Sequence, residues 1–125
     1  MTTQEILEAA RAAKSAVALA ENDTRRKALL GMADARCQPE KMEAILTANA
    51  ADMAAAKGHI SDVMLDRLAL TPERIEAMAR GIREVAALPD PVGRVLNRVE
   101  RPNGLVIEKT AVPMGVIAII YESRP

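Results

Sequence analysis

The chain has 125 residues, of which 50% are hydrophobic and 27% are charged, a balance typical of one globular domain and not of a disordered chain. Its formal net charge is zero and Tyr121 is its only aromatic residue, so neither charge nor stacking side chains favour nucleic-acid binding. No apolar run approaches the ~20 residues that span a membrane, and no signal peptide is recognisable. The single cysteine excludes an intramolecular disulfide. We therefore expect a cytoplasmic protein without membrane partners.

Residues 1–88 have the pattern of a series of short helices. Thr2 and Glu5 have the spacing of a capping box, Pro39 suits the first turn of a later helix, and Thr71-Pro72-Glu73 is a further start signal. Five groups of residues at helical spacing lie in this part of the chain. They are Ile6, Ala10, Ala13, Val17 and Ala20; then Leu29, Met32 and Ala33; then Met42, Ile45, Leu46, Asn49 and Met53; then Met64, Leu65 and Leu68; and finally Ile75, Met78, Ile82 and Val85. The last four are predicted to be the buried face of a helix that ends before Pro89.

The pattern changes after Pro89-Asp90-Pro91. Two segments rich in β-branched and aliphatic residues follow, Gly93 to Val99 and Leu105 to Thr110. Between them stands Arg101-Pro102-Asn103-Gly104, and Asn-Gly is a strong turn signal in hairpins. The sequence therefore predicts a β-hairpin over residues 93–110.

The segment from Gly115 to Tyr121 has the pattern of a buried strand. Val116 to Ile120 is apolar on both faces, as expected for a central strand covered by helices on both sides. Such a strand needs neighbours for its ladder hydrogen bonds, and no second run of this kind exists in the chain. We therefore expect an incomplete piece of a larger α/β domain, ending just beyond its first buried strand.

Four polar residues follow this predicted strand: Tyr121, Glu122, Ser123 and Arg124. Ligands of open α/β sheets bind outside the carboxyl ends of the strands, so these side chains would face a cofactor or substrate if the sheet were complete. An ordinary strand-to-helix loop explains the same residues equally well.

The other candidates have structural explanations. Cys37 is the only thiol and stands next to Arg36, but no histidine is near it in sequence, so we interpret it as a small residue at a helix end. His59 is the only histidine and is interpreted as a solvated loop residue, so no metal site is predicted. Asn49 and Asp52 lie close to an apolar stripe, where hydrogen bonds would fix helix packing.

The residues Val112 to Ile117 and Ile120 to Pro125 closely resemble a motif of the gamma-glutamyl phosphate reductases, also called glutamate-5-semialdehyde dehydrogenases. Leu46 to Asp52, Met64 to Pro72 and Leu88 to Gly93 resemble the same family, in the same order. The resemblance spans essentially the whole chain. The family belongs to the aldehyde dehydrogenase superfamily, whose members are much longer than this chain.

The resemblance implies a truncated α/β fold of the aldehyde dehydrogenase type. Residues 1–125 would be an incomplete N-terminal part of the cofactor-binding domain, with helices in 1–88, a hairpin arm in 93–110 and the first buried strand in 115–121. The implied activity is NADPH-dependent reduction of L-glutamate 5-phosphate to L-glutamate 5-semialdehyde and phosphate, in proline biosynthesis. A cysteine thiolate attacks the acyl phosphate, and the resulting thioester accepts hydride. That cysteine belongs to a catalytic domain absent here, so the resemblance implies no catalytic residue and no activity for this chain alone.

The resemblance also implies roles for the four polar residues. Tyr121 and Glu122 would border the cofactor, and Ser123 and Arg124 would border the substrate, although Glu-Ser-Arg replaces the usual Pro-Trp-Asn of the superfamily. Arg124 is suited to a phosphate or carboxylate, and equally to an ion pair with Glu122. The hairpin looks like the superfamily's oligomerisation arm, which implies a homo-oligomer. Two alternatives stay open: another acyl-reducing or aldehyde-oxidising member of the superfamily, and a non-catalytic helical interaction module.

Overall fold

A computed structural model of the chain describes residues 2–120. In chain order its elements are α1 (Thr3–Leu19), α2 (Asn22–Cys37), α3 (Pro39–Ala56), α4 (Asp62–Leu68), α5 (Pro72–Ala86), β1 (Val95–Glu100) and β2 (Val106–Thr110). The prediction of helices followed by a hairpin is confirmed. None of the helices in the described range is long and apolar enough to cross a membrane.

The described residues form two compact units. One comprises residues 2–25 and 88–118, and the other comprises residues 26–87 together with 119–120. The first unit holds α1 and the hairpin. The second holds α3, α4, α5 and most of α2.

Helix α1 begins at the capping box that the sequence predicts. The Glu5 N–H donates to Thr2 Oγ1 over 3.3 Å, and the Thr2 N–H donates to a Glu5 carboxylate oxygen over 2.7 Å. No residue of the helix is buried, and Ile6 and Val17 on its apolar stripe are 51% and 57% exposed. The cap therefore sets where α1 begins, while its apolar stripe stays largely open.

The hairpin is closed by a three-residue loop, Pro102 to Gly104. The Gly104 N–H donates to the Arg101 carbonyl over 2.9 Å, and the Arg101 N–H donates to the Leu105 carbonyl over 2.8 Å. Gly104 has a φ of 81°, a conformation that side chains other than glycine rarely adopt. The strands pair antiparallel, with Val99 opposite Ile107 and a register irregularity between Val95 and Asn97. The turn residues thus set the register of the sheet.

The second unit is organised around α3, which contacts both α4 and α5. Its buried hydrophobic residues are Ala33, Ile75, Ala79 and Ala86. The prediction that α5 buries Met78 and Val85 is wrong, since these side chains are 39% and 54% exposed.

The inward stripe of α5 contains Ile75, Ala79, Ile82 and Ala86, of which Ile82 is half-buried. It shares both isoleucines with the predicted stripe, but two small alanines replace the larger side chains. Alanine lets neighbouring helices approach closely, and the bulkier residues then lie at the edge of the contact.

Asn49 of α3 holds the segment that follows α4. Its side-chain nitrogen donates to the Leu68 carbonyl over 2.9 Å, and its side-chain oxygen accepts from the Leu70 N–H over 2.7 Å. Asn49 is 7% exposed, and Leu68 and Leu70 are half-buried, so both backbone groups are satisfied where water has limited access. The prediction that Asn49 fixes helix packing through hydrogen bonds is confirmed.

Residues 111–120 contain no helix or strand. Residues 112–120 are all exposed, with Met114 at 89% and Ile120 at 97%. The described part of the segment from Gly115 to Tyr121 therefore forms no strand in this chain, and its role as the first buried strand of a larger domain stays a prediction. The physical reason is the lack of a ladder partner, because β1 and β2 pair only with each other in the described residues. Tyr121 lies outside the described residues.

Candidate functional site

The four residues predicted to border cofactor and substrate, Tyr121, Glu122, Ser123 and Arg124, lie outside the described residues. The segment that leads to them is described as far as Ile120. Its first part, Val112 to Ala118, belongs to the first unit. The candidate site is therefore built from this approach segment and the helix beside it.

A cleft of about 250 Å³ lies between α1 and the approach segment. Ala10, Ala13 and Val17 line it from the helix, and Val92, Pro113 and Val116 line the opposite wall. We call it the α1 cleft. Its lining is mainly apolar, and Lys14 and Arg25 are its charged residues.

Gly115 shapes one wall of the α1 cleft. Its φ of 94° lies in the region that favours glycine, and a Cβ placed there would come within 3.4 Å of Lys14 Cε. The aliphatic part of the Lys14 side chain therefore lies against the backbone of the approach segment. The backbone of the approach segment passes α1 at Gly115.

The Arg25 guanidinium organises the rim of the cleft. It donates to the carbonyl of Ala20, just beyond the end of α1, and forms an ion pair with Asp90. Asp90 also accepts a hydrogen bond of 2.9 Å from the Val92 N–H. These two partners lower the pKa of Asp90, the backbone N–H contributing most and Arg25 next, because both stabilise the carboxylate.

The sequence did not reveal this arrangement. Asp90 between two prolines is a turn signal that explains its bond to Val92. Its partner Arg25 is 65 residues away, and no local pattern connects them.

The chemistry available in the α1 cleft is limited. It offers the Lys14 ammonium and apolar walls, whereas Arg25 is already engaged by a carboxylate and a carbonyl. Within residues 2–120, no group of three or more His, Cys, Asp or Glu residues could hold a metal ion. The lining of the described cleft contains no thiol, hydroxyl, imidazole or carboxylate side chain.

Cys37 lies in the second unit at the C-terminal end of α2, half-buried, as the sequence predicts. Arg83 Nη2 of α5 is 2.8 Å from an Asp34 carboxylate oxygen. Hydrogen bonding to Asp34, and less strongly to Cys37, raises the pKa of Arg83 above its ordinary value. The Arg83–Asp34 ion pair joins α2 to α5 close to Cys37.

His59 is exposed in the loop between α3 and α4, and its backbone N–H donates to the Ala56 carbonyl over 3.0 Å. The prediction of a solvated loop residue is confirmed. Asp52 is exposed on α3.

Comparison with known proteins extends what the geometry shows. No family model matches the chain. Curated proteins match all 125 residues at 58% identity, among them the gamma-glutamyl phosphate reductases of Streptococcus pneumoniae strains Hungary19A-6 and 70585. The chain spans 29% of the length of these relatives.

Two solved structures share the fold of the described residues. The gamma-glutamyl phosphate reductase of Thermotoga maritima matches with a TM-score of 0.82 and 32% identity, over 88% of this chain and 26% of its own. The Saccharomyces cerevisiae gamma-glutamyl phosphate reductase matches with a TM-score of 0.77 and 34% identity, over 90% of this chain and 29% of its own.

The helical units with their two-stranded sheet thus resemble the N-terminal part of a class of reductases. Over its whole length the chain matches the N-terminal portion of gamma-glutamyl phosphate reductases.

Proposed function

We propose that this chain is the N-terminal part of an NADPH-dependent reductase that converts L-glutamate 5-phosphate to L-glutamate 5-semialdehyde and phosphate, in the cytoplasm, for proline biosynthesis. The observation that carries the proposal is 58% identity over all 125 residues to gamma-glutamyl phosphate reductases. The matched range includes Tyr121 to Arg124.

We propose that the chain has no reductase activity by itself. Reduction of an acyl phosphate through a thioester needs a thiolate that can reach the acyl carbon. The only thiol here, Cys37, is half-buried at a helix end beside Arg83. Outside the matched part, the relatives contain more than twice as many residues as this chain, and a suitable nucleophile can lie there.

The described residues alone do not fit NADPH. Dinucleotide phosphates bind to successive backbone N–H groups at a glycine-rich turn or helix N-terminus. In residues 2–120 the approach segment carries one glycine and no helix begins beside it. Cofactor binding is therefore proposed to require Tyr121 and Glu122 with elements from the rest of the protein, and Ser123 and Arg124 are proposed to contact the acyl phosphate.

The exposed approach segment supports an α/β sheet in the longer protein. Ile117, Ile119 and Ile120 are all more than half exposed in this chain. A run of this composition is stable in water only when both faces are covered and its backbone groups are paired. We propose that residues 115–121 become a central strand when neighbouring strands are present.

The hairpin supports a homo-oligomer of the longer protein. Because cross-strand partners share a face, Val99 and Ile107 lie on one side of the sheet, and both are exposed. Arg98 and Glu108, which form an ion pair of 3.2 Å, lie on the other side. A two-stranded sheet is marginally stable alone, and a second subunit could cover the exposed Val99–Ile107 pair.

A chimera tests the proposed function. This chain would replace the matched segment of the Streptococcus pneumoniae relative, and the reverse reaction would be followed as NADPH formation from the aldehyde, phosphate and NADP⁺. We expect activity close to that of the parent. A folded chimera that binds NADPH but lacks activity would contradict the proposal.

Variants of the chimera test the four site residues. Glu122→Gln is expected to raise KM for the nicotinamide cofactor, and Arg124→Met to raise KM for phosphate. Arg98→Met, on the hairpin, is the matched control for loss of a cation. If Arg124→Met and Arg98→Met have equal effects, the assignment of Arg124 to the substrate is wrong.

The chain without the rest of the protein tests the proposed inactivity. In the same assay we expect no turnover above the protein-free background. If turnover appears, Cys37→Ser decides its origin, because only a Cys37 nucleophile would lose activity through that change. Turnover of either kind would overturn the claim that the chain is inactive alone.

A further inference from the structure

The hairpin turn contains a sequence with reactivity of its own. The chain has four asparagines, Asn22, Asn49, Asn97 and Asn103, and only Asn103 precedes a glycine. The backbone nitrogen after an asparagine can attack the side-chain amide carbon and close a five-membered ring. Glycine leaves that nitrogen unhindered because it has no Cβ. Asn103 is therefore the asparagine whose neighbour best permits this reaction.

The turn holds the Asn103 side chain against the loop backbone. The Asn103 side-chain oxygen accepts a hydrogen bond of 3.2 Å from the Leu105 N–H, two residues further along the chain. That donor also polarises the carbonyl and would stabilise negative charge on its oxygen during attack. Both Asn103 and Gly104 are exposed, so water reaches the ring that would form.

One contact opposes the reaction. The Gly104 N–H donates to the Arg101 carbonyl over 2.9 Å, which closes the turn. The nitrogen must lose its proton before it attacks, and this hydrogen bond holds the proton in place. The reaction therefore requires the turn to open.

We infer that Asn103 is a site of spontaneous deamidation whose rate is controlled by opening of the hairpin turn. The Gly104 nitrogen forms a bond to the side-chain amide carbon of Asn103, and the carbon–nitrogen bond of that amide breaks with release of ammonia. Water then opens the cyclic imide at either carbonyl. Position 103 becomes an aspartyl or an isoaspartyl residue, and no other reactant is consumed.

Conversion changes the hairpin in two ways. Both products place a carboxylate in the loop. The isoaspartyl product also adds one methylene to the backbone of a three-residue loop whose length sets the strand register. The Gly104–Arg101 hydrogen bond cannot keep its geometry in the longer loop, so pairing of β1 with β2 is weakened.

The rate is tested on the whole chain, incubated at mildly alkaline pH and digested at intervals. Mass spectrometry and isoaspartate detection then measure conversion at each asparagine. We expect position 103 to convert several-fold faster than Asn97, which is exposed on β1 but precedes Arg98. Buried Asn49 is expected to be slowest. Equal or faster conversion at Asn97 would overturn the assignment.

Control by the turn is tested by repeating the incubation in denaturing urea. Conversion at position 103 is expected to accelerate several-fold, because the Gly104 N–H is then released from Arg101. An unchanged or slower rate in urea would overturn the role of turn opening. Asn103→Asp carries the charge without the added methylene, so hairpin pairing should be retained in this variant and lost in the isoaspartyl product. Equal loss in both would overturn the proposed effect of the longer backbone.

Discussion

Replacing Asn49 by alanine removes a pair of hydrogen bonds from the second unit. Asn49 is 7% exposed, and its amide pairs with the Leu68 carbonyl and the Leu70 N–H. Asn49→Ala leaves both backbone groups without these partners between α4 and α5. We expect the segment that follows α4 to lose its attachment to α3.

The magnitude follows from the two groups. An unsatisfied buried donor or acceptor costs about 1–3 kcal/mol, so the pair costs about 2–6 kcal/mol. Alanine is the better helix former by roughly 0.5 kcal/mol, which offsets a small part of the loss. The expected net destabilisation is about 2–5 kcal/mol, a large share of the ~5–15 kcal/mol typical of a folded domain.

Hydrogen exchange at the Leu70 amide measures the loss at the bond itself. A destabilisation of about 2 kcal/mol corresponds to roughly 30-fold faster exchange. Urea unfolding followed by circular dichroism gives the effect on the unit as a whole. Both measurements use the complete chain.

Asp52→Ala is the matched control. Asp52 is exposed on the same helix, so its replacement is expected to be neutral or stabilising by about 0.5 kcal/mol. If Asn49→Ala behaves like Asp52→Ala in both measurements, the two hydrogen bonds do not hold this segment and the reasoning fails.

Three further predictions concern the first unit and one helix of the second. Gly115→Ala is expected to destabilise the approach segment beside α1 by about 1–2 kcal/mol, because the φ of Gly115 is 94°. Gly31→Ala is expected to stabilise α2 by about 1 kcal/mol, since a Cβ there meets nothing within 4 Å. Thermal unfolding measures the effects of both glycine substitutions, and shifts of the same sign would contradict the argument. The pKa of Asp90 is lowered in the folded chain from its ordinary value of 3.8. The Asp90 carboxylate therefore stabilises the fold fully at pH values above 3.8, and this stabilisation is lost as the pH falls below that value. Acid titration monitored by NMR at the Val92 amide should show this loss, and Asp90→Asn should flatten the dependence of stability on pH in that range. If stability depends on acid pH in Asp90→Asn as it does in the unchanged chain, Asp90 is not the cause of that dependence.

The turn and the helix starts could be predicted because their causes are local. Thr2 and Glu5 are three residues apart, and the structure joins them by reciprocal hydrogen bonds. Asn103-Gly104 predicted a hairpin turn, and the turn is present. The length of the turn was not predicted by Asn-Gly alone. Pro102 occupies the first loop position, and Gly104, with a φ of 81°, occupies the last. A three-residue loop results in place of a two-residue Asn-Gly turn.

Helical spacing could not decide which face of α5 is buried. Ile75, Met78, Ile82 and Val85 form one stripe, and Ile75, Ala79, Ile82 and Ala86 form another only slightly rotated from it. Hydrophobicity favours the first stripe and close helix packing favours the second. The choice depends on the shape of α3 opposite, which periodicity does not encode.

Only part of the candidate site could be predicted from the sequence. The approach segment was recognisable by its apolar run. The α1 cleft was not, because Lys14, Arg25 and Asp90 meet there only after folding. The residues predicted to touch ligand, Tyr121 to Arg124, remain a prediction.

By itself the sequence determined where helices begin and end, where the hairpin turns, and which family the residues resemble. These features depend on residues a few positions apart, whose effects are the same in any surroundings. Only the tertiary structure decided that Asn49 pairs with a segment 19 to 21 residues away, and that Arg25 pairs with Asp90. It also decided that the run from Gly115 to Ile120, though composed as a strand, has no ladder in this chain. A strand is defined by partners, and composition supplies only the capacity to pair.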